Sequence, residues 1–179
     1  MNSESLTLTE PSVESHPLSP LQQGMLFHYL VSEDQGFDVV QLVISMREVV
    51  DKALLRQAWR RVVGRHASLR SAFQWRGCVE PRQVVHPGID VPWQEYNWLQ
   101  VPPAGREQHL ASFMVEDRQR GIQMDSAESW RLALVRWERE EFSLVWTFHH
   151  AFLDGRSFVT VVREVFATRY TCPTGWNLY

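Results

Sequence analysis

The spacing of apolar positions divides the chain into helices and strands before any chemistry is considered. Leu21, Met25, Leu26, Tyr29 and Leu30 recur at helical spacing. Ser19 suits an N-cap, Pro20 the first helical position, and Gln22 completes an S-x-x-Q capping box, so a helix is predicted to end near Ser32. From Phe37 to Met46 the period falls to two, with Val40, Leu42, Ile44 and Met46 on one side, which predicts a strand. Asp51 then caps a second helix. Its Leu54, Leu55, Ala58, Trp59, Val62 and Val63 form a wide apolar face, and Gly64 reads as its stop. Leu69 to Trp75 reads as a strand, Arg76-Gly77 as a turn, and Val79 to Val85 as the return, with Pro81 confining that return to a sheet edge or splitting it.

The second half continues in the same mixed style. Prolines between Pro87 and Pro103, interleaved with Trp93, Tyr96 and Trp98, predict an extended connection packed on the body. A third helix follows from about Ala104 to Arg120, closed by Gly121. Trp130 to Trp137 and Phe142 to Phe148 read as strands joined by the charged Glu138-Arg139-Glu140-Glu141. Phe158, Val161, Val162, Val165 and Phe166 mark a last amphipathic helix, with Ser157 at its cap. Residues 1–16, rich in Ser, Thr and Glu, read as a flexible leader. Helices and strands mix without strict alternation, which favours an α+β sandwich.

Composition narrows the function classes. Hydrophobic residues make up 44% and charged residues 22% of the 179 residues, enough apolar mass for one globular core. The eight tryptophans favour a packed interior or an apolar groove. A formal charge of -3 gives no electrostatic reason to expect nucleic acid or an anionic membrane as partner. Cys78 and Cys172 follow no metal-site or disulfide spacing, which points to a reducing compartment. The N-terminus lacks the basic-then-apolar layout of a signal peptide, and no apolar run matches a bilayer. A soluble, cytoplasmic protein is expected.

The candidate chemistry sits in His149-His150-Ala151-Phe152-Leu153-Asp154-Gly155. Adjacent strand residues face opposite sides, so only one of the two histidines can face a given cleft. Imidazole is the side chain suited to proton transfer near neutral pH. Asp154 can orient an imidazole, hold the loop by pairing with an arginine, or simply cap the helix. Gly155 can allow a sharp turn. A His pair with one Asp lacks a third convergent ligand, which disfavours a metal site. The absence of a G-x-S-x-G elbow disfavours a serine hydrolase.

Three separated segments resemble, in order, the motifs of nonribosomal peptide synthetase condensation domains. Ser19-Pro20-Leu21-Gln22-Gln23-Gly24-Met25-Leu26-Phe27 is similar to the opening motif. Arg65-His66-Ala67-Ser68-Leu69-Arg70-Ser71-Ala72-Phe73 resembles the second, an Arg-His-x-x-Leu-Arg pattern. His149 to Ser157 resembles the His-His-x-x-x-Asp-Gly signature. The resemblance implies a chloramphenicol acetyltransferase-like fold of two α/β lobes with a tunnel between them. It implies amide formation between acyl and aminoacyl thioesters carried on the phosphopantetheine arms of carrier proteins, with no cofactor bound directly. His150 would line the tunnel, and would deprotonate the attacking amine or hold it and stabilise the tetrahedral species. Asp154 would pair with an arginine, Arg65 or Arg70 being the candidates. Gly155 would leave room near the thioester, and His149 would face the packed side.

The chain departs from that pattern in length. It holds material for the N-terminal lobe only, over residues 17–170, and lacks the later Asp-Phe-Gly-Trp-Gly strand motif. Residues 171–179 match nothing expected there and read as a divergent tail, as from a truncated or shifted reading frame. Arg156 stands where a bulky apolar residue is common in the family. A tunnel needs two walls, so three functions stay open: a condensation lobe awaiting its C-terminal partner, a noncatalytic fragment binding a carrier protein or that partner, and a coenzyme A-dependent O-acyltransferase of the same superfamily.

Overall fold

Residues 14–32 and 36–169 are described by a computed structural model, so the expected tail over 171–179 and most of the leader lie outside the described residues. The leader boundary shifts, because Glu14–Pro17 forms strand β1. Its polar residues pair through the backbone and bury little, which is why composition did not reveal a strand. Helix α1 (Pro20–Val31) begins with the full capping box, Ser19 accepting from the Gln22 N–H and the Gln22 side chain accepting from the Ser19 N–H.

Strand β2 (Val39–Met46) leads to α2 (Lys52–Arg65), which Asp51 caps by accepting from the Leu54 N–H at 3.0 Å. Leu55, Ala58, Trp59, Val62 and Val63 are buried along one stripe of α2. Gly64 does not end the helix, which runs one residue further and stops where His66 turns extended. A short 3-10 turn over Ala67–Arg70 then occupies the start of the expected strand, so β3 covers only Ser71–Gln74. The return strand β4 (Arg82–Val85) pairs antiparallel with both β1 and β3. It is therefore central, because Pro81 falls just outside it and removes no ladder hydrogen bond.

The proline-rich stretch contains a strand that its composition hid. β5 (Trp93–Asn97) begins directly after Pro92 and runs parallel to β6 (Trp130–Arg136). Between them α3 (Arg106–Gln119) follows a 3-10 turn, and Gly121 closes it with φ 63, a left-handed position that glycine takes without strain. β7 (Phe142–His149) and α4 (Gly155–Arg169) complete the described chain. The main sheet has the order β2-β7-β6-β5.

Alternation along this sheet sorts its two faces. Leu42, Leu132 and Trp146 align across three strands and join the core built with α2 and α4. There Trp59 stacks on Trp130 at 5.8 Å and meets Trp146 edge-on at 5.0 Å. The opposite face carries Gln41, Arg131 and Thr147 in register, and they converge on the buried Asp117 of α3. Burial alone would raise the Asp117 pKa, but hydrogen bonds from Arg131 and Thr147 outweigh it and hold the carboxyl below its ordinary value. The hairpin between β6 and β7 is tied to the start of α3 by Arg106, which bridges Glu138 and Glu141 at 2.6 Å each.

Candidate active site

β7 ends at His149, which pairs with Val39 of β2. The ring of His149 is 1% exposed and meets Tyr29 of α1 edge-on at 6.2 Å. Its Nδ1 accepts the Ala151 N–H at 3.2 Å, so in the neutral ring the proton sits on Nε2. Desolvation lowers the His149 pKa from 6.5 to about 4, with the Asp38 carboxylate opposing and His150 assisting the drop. His149 is thus a neutral, packed imidazole at pH 7.

His150 lies one residue beyond the ladder and is exposed. Its N–H donates to the Asp38 carbonyl at 2.9 Å, and the Phe152 N–H closes the turn onto the His149 carbonyl at 3.1 Å. The His150 Nδ1 lies 2.8 Å from the Leu153 carbonyl. A carbonyl only accepts, so Nδ1 carries the proton and the neutral ring presents a bare lone pair at Nε2. Among the described residues Nε2 has no hydrogen-bond partner. This ring can accept a proton at a defined atom.

The turn is tied to the two upstream motifs by a chain of side-chain amides. Gln22 of α1 donates from Nε2 to the Ala151 carbonyl at 3.2 Å and to Gln83 Oε1 at 2.9 Å. Gln83 of β4 donates to the Ser71 hydroxyl at 2.9 Å, and Ser71 donates to the Ala67 carbonyl at 2.8 Å. The sequence marked Gln22 as a helix cap within the opening motif, with no sign of these partners, and gave no sign of Gln83. Their partners lie 61 and 129 positions away from Gln22, beyond any local pattern.

The other expected site residues fall differently. Asp154 is exposed and caps α4: its Oδ1 accepts the Ser157 N–H at 2.7 Å and the Arg156 N–H at 3.1 Å, so the cap is Asp154 and not Ser157. The hydrogen bonds from Ser157, then that from Arg156, hold its carboxyl below the ordinary value. Neither expected arginine pairs with it. Arg65 reaches Glu164 of α4 at 3.5 Å, beside His66 at 2.9 Å from the same carboxylate. Arg70 donates to the carbonyls of Val63 and His86. One of these carbonyls lies in the last turn of α2 and the other just after β4, so the Arg70 cation is held away from Asp154. Gly155 opens α4 without a positive φ, and a Cβ built there meets no atom within 4 Å, so the turn does not require glycine. Arg156 is exposed and displaces no packing.

Concavities of about 350 Å³ form elsewhere. One is lined by residues including Phe73, Trp75, His86 and Asp125, another by Leu26, Phe27, Leu30 and Pro81, and His150 borders neither. His150 itself is exposed. Among the described residues no three His, Cys, Asp or Glu side chains group as metal ligands, and no helix is long and apolar enough to cross a membrane.

Comparison with known proteins accounts for this arrangement. A linear gramicidin synthase of Brevibacillus parabrevis is 39% identical over 85% of this chain, and bacitracin synthase 3 of Bacillus licheniformis is 30% identical over 84%. The chain spans only 3% and 2% of those two proteins. The starter condensation domain of rhizomide synthetase superposes with a TM-score of 0.77 at 16% identity, covering 87% of this chain and 38% of that one. The condensation domain of the monacolin K polyketide synthase gives a TM-score of 0.72 at 20% identity, covering 91% and 36%. The fold is thus the chloramphenicol acetyltransferase-like α+β sandwich, of which this chain matches a minority share. The condensation domain model matches residues 13–175, and the chain belongs to the condensation domain family.

Proposed function

We propose that this chain is the N-terminal lobe of a peptide synthetase condensation domain, supplying His150 to an amide-forming acyl transfer. The observation that carries the reading is the fixed tautomer of His150, whose Nδ1–H is held by the Leu153 carbonyl while Nε2 has no partner among the described residues. The amine of an aminoacyl thioester would attack the carbonyl of the donor thioester. The C–N bond forms, the C–S bond breaks, and His150 Nε2 takes the amine proton and returns it to the departing sulfur. Both substrates are tethered to phosphopantetheine arms of carrier proteins, which are the partners, and the chain binds no cofactor, nucleic acid or membrane in this reading. A cytoplasmic location goes with it.

Two facts about relatives support the substrate class. Two of the similar proteins are named as synthases of linear gramicidin and of bacitracin. A double mutant of the rhizomide synthetase starter domain is in complex with C8-CoA and Leu-SNAC, an acyl thioester and an aminoacyl thioester together. Because His150 is exposed on this lobe, the second lobe would cover it, excluding water and fixing both thioesters. The test is amide formation between two loaded carrier proteins. The chain fused to the remaining part of a gramicidin synthase condensation domain is expected to form product, and the chain alone is not. A correctly folded fusion that forms no amide would overturn the proposal, as would transfer to a free alcohol in preference to an amine.

A further inference from the structure

Among the described residues Asp38 is the one non-glycine residue with a positive φ, at 56. Only a few per cent of non-glycine residues adopt this left-handed conformation, with Asp and Asn enriched among them, and β-branched residues are disfavoured there. It lies at the end of the turn that leads into β2, where the Val39 N–H bonds back to the Gly36 carbonyl at 3.2 Å. From that turn the Asp38 carbonyl receives the His150 N–H at 2.9 Å, one residue past the last β2–β7 pair.

We propose that Asp38 is a positioning residue for His150: its left-handed backbone extends the β2–β7 ladder by one bond and fixes the main chain from which the imidazole reaches the Leu153 carbonyl. Two bonds then hold His150, one donated by its amide to the Asp38 carbonyl and one donated by its ring to the Leu153 carbonyl. The first fixes where the ring starts and the second fixes which nitrogen carries the proton. Strained backbone persists where the surroundings over-determine it, and here its carbonyl takes the amide of the residue that carries the reacting ring. The role belongs to the backbone conformation and not to the carboxylate. The inference rests on reading His150 as the reacting imidazole, yet its test reads the ring itself and not turnover.

The experiment uses the full chain, isotope-labelled, with Asp38→Asn, Asp38→Gly and Asp38→Val compared by NMR. Two readouts are taken: the hydrogen-exchange rate of the His150 amide, and the ring nitrogen shifts that report its tautomer. Asn and Gly tolerate the left-handed region and should stay within about twofold of the native chain on both. Val should speed exchange at His150 roughly tenfold and lower the ratio of Nδ1–H to Nε2–H tautomer roughly tenfold, while the amides of Leu144 and Trp146 stay unchanged. If Asp38→Val does not fold, Asp38→Ala takes its place with a smaller shift in the same direction. A folded Val or Ala variant with native exchange and tautomer at His150 would refute the proposal. So would an Asn variant that shifts both as far as Val does, since that would assign the effect to the carboxylate. Either result leaves the acyl-transfer proposal standing, and loss of amide formation alone leaves this one standing.

Discussion

The buried His149 makes the stability of this fold depend on pH in a direction that the structure fixes. In the unfolded chain its imidazole titrates near 6.5, whereas burial lowers the folded value to about 4. The unfolded state therefore binds the proton more tightly. Stability from the neutral ring is complete above pH 6.5, is lost as pH falls through that window, and is gone by about pH 4. Each pH unit between the two values is worth about 1.4 kcal/mol, so the full loss is about 3 kcal/mol, spread across the window at roughly that slope. His149→Asn supplies an oxygen to accept the Ala151 N–H but does not titrate. Urea unfolding followed by tryptophan fluorescence between pH 4 and 8 should show the native chain losing about 3 kcal/mol relative to the variant as pH falls. Parallel curves for the two proteins across that window would show the attribution to His149 to be wrong, because other titrating groups are common to both.

Three further outcomes follow from the same geometry. Gln22→Ala removes the side chain that joins the helix cap, Gln83 and the Ala151 carbonyl, and should cost about 1–3 kcal/mol in urea unfolding, with faster amide exchange across the 149–153 turn. Asp154→Asn should keep the α4 cap, whereas Asp154→Ala should speed amide exchange at Arg156 and Ser157 specifically, and Arg65→Ala should leave those amides unchanged. Gly155→Ala should leave the midpoint of thermal unfolding of the isolated chain within a few degrees, since nothing lies within 4 Å of the added methyl, yet slow amide formation in a completed domain if substrate fills that space.

The elements that were legible in the sequence are those whose stability is local or whose burial is periodic. The Ser19 capping box, the Leu55 to Val63 stripe and the Gly121 stop each announce themselves within a few residues, and the structure has α1, α2 and α3 there. β6 and β7 were equally clear because both are buried nearly throughout. β1 and β5 were not, since neither is buried enough to leave an apolar signature and β5 is framed by prolines. Pro81 misled the placement of β4 because a ladder position and a position one residue before it look alike in sequence. At the site, strand alternation separates His149 from His150, and the structure has the first buried and the second exposed. What alternation cannot convey is which carbonyl meets the His150 ring, or that Glu164 rather than Asp154 meets Arg65. Those depend on contacts across the fold.

The functional reading turns on His150, and not its neighbour, moving the proton in amide formation. The decisive measurement is the single-turnover rate of amide formation in the completed domain, compared for the native chain, His150→Ala and His149→Asn. A loss of about a hundredfold or more is expected for His150→Ala, and less than about tenfold for His149→Asn. A His150→Ala domain that retains the native rate would remove the imidazole from the reaction and the reading with it.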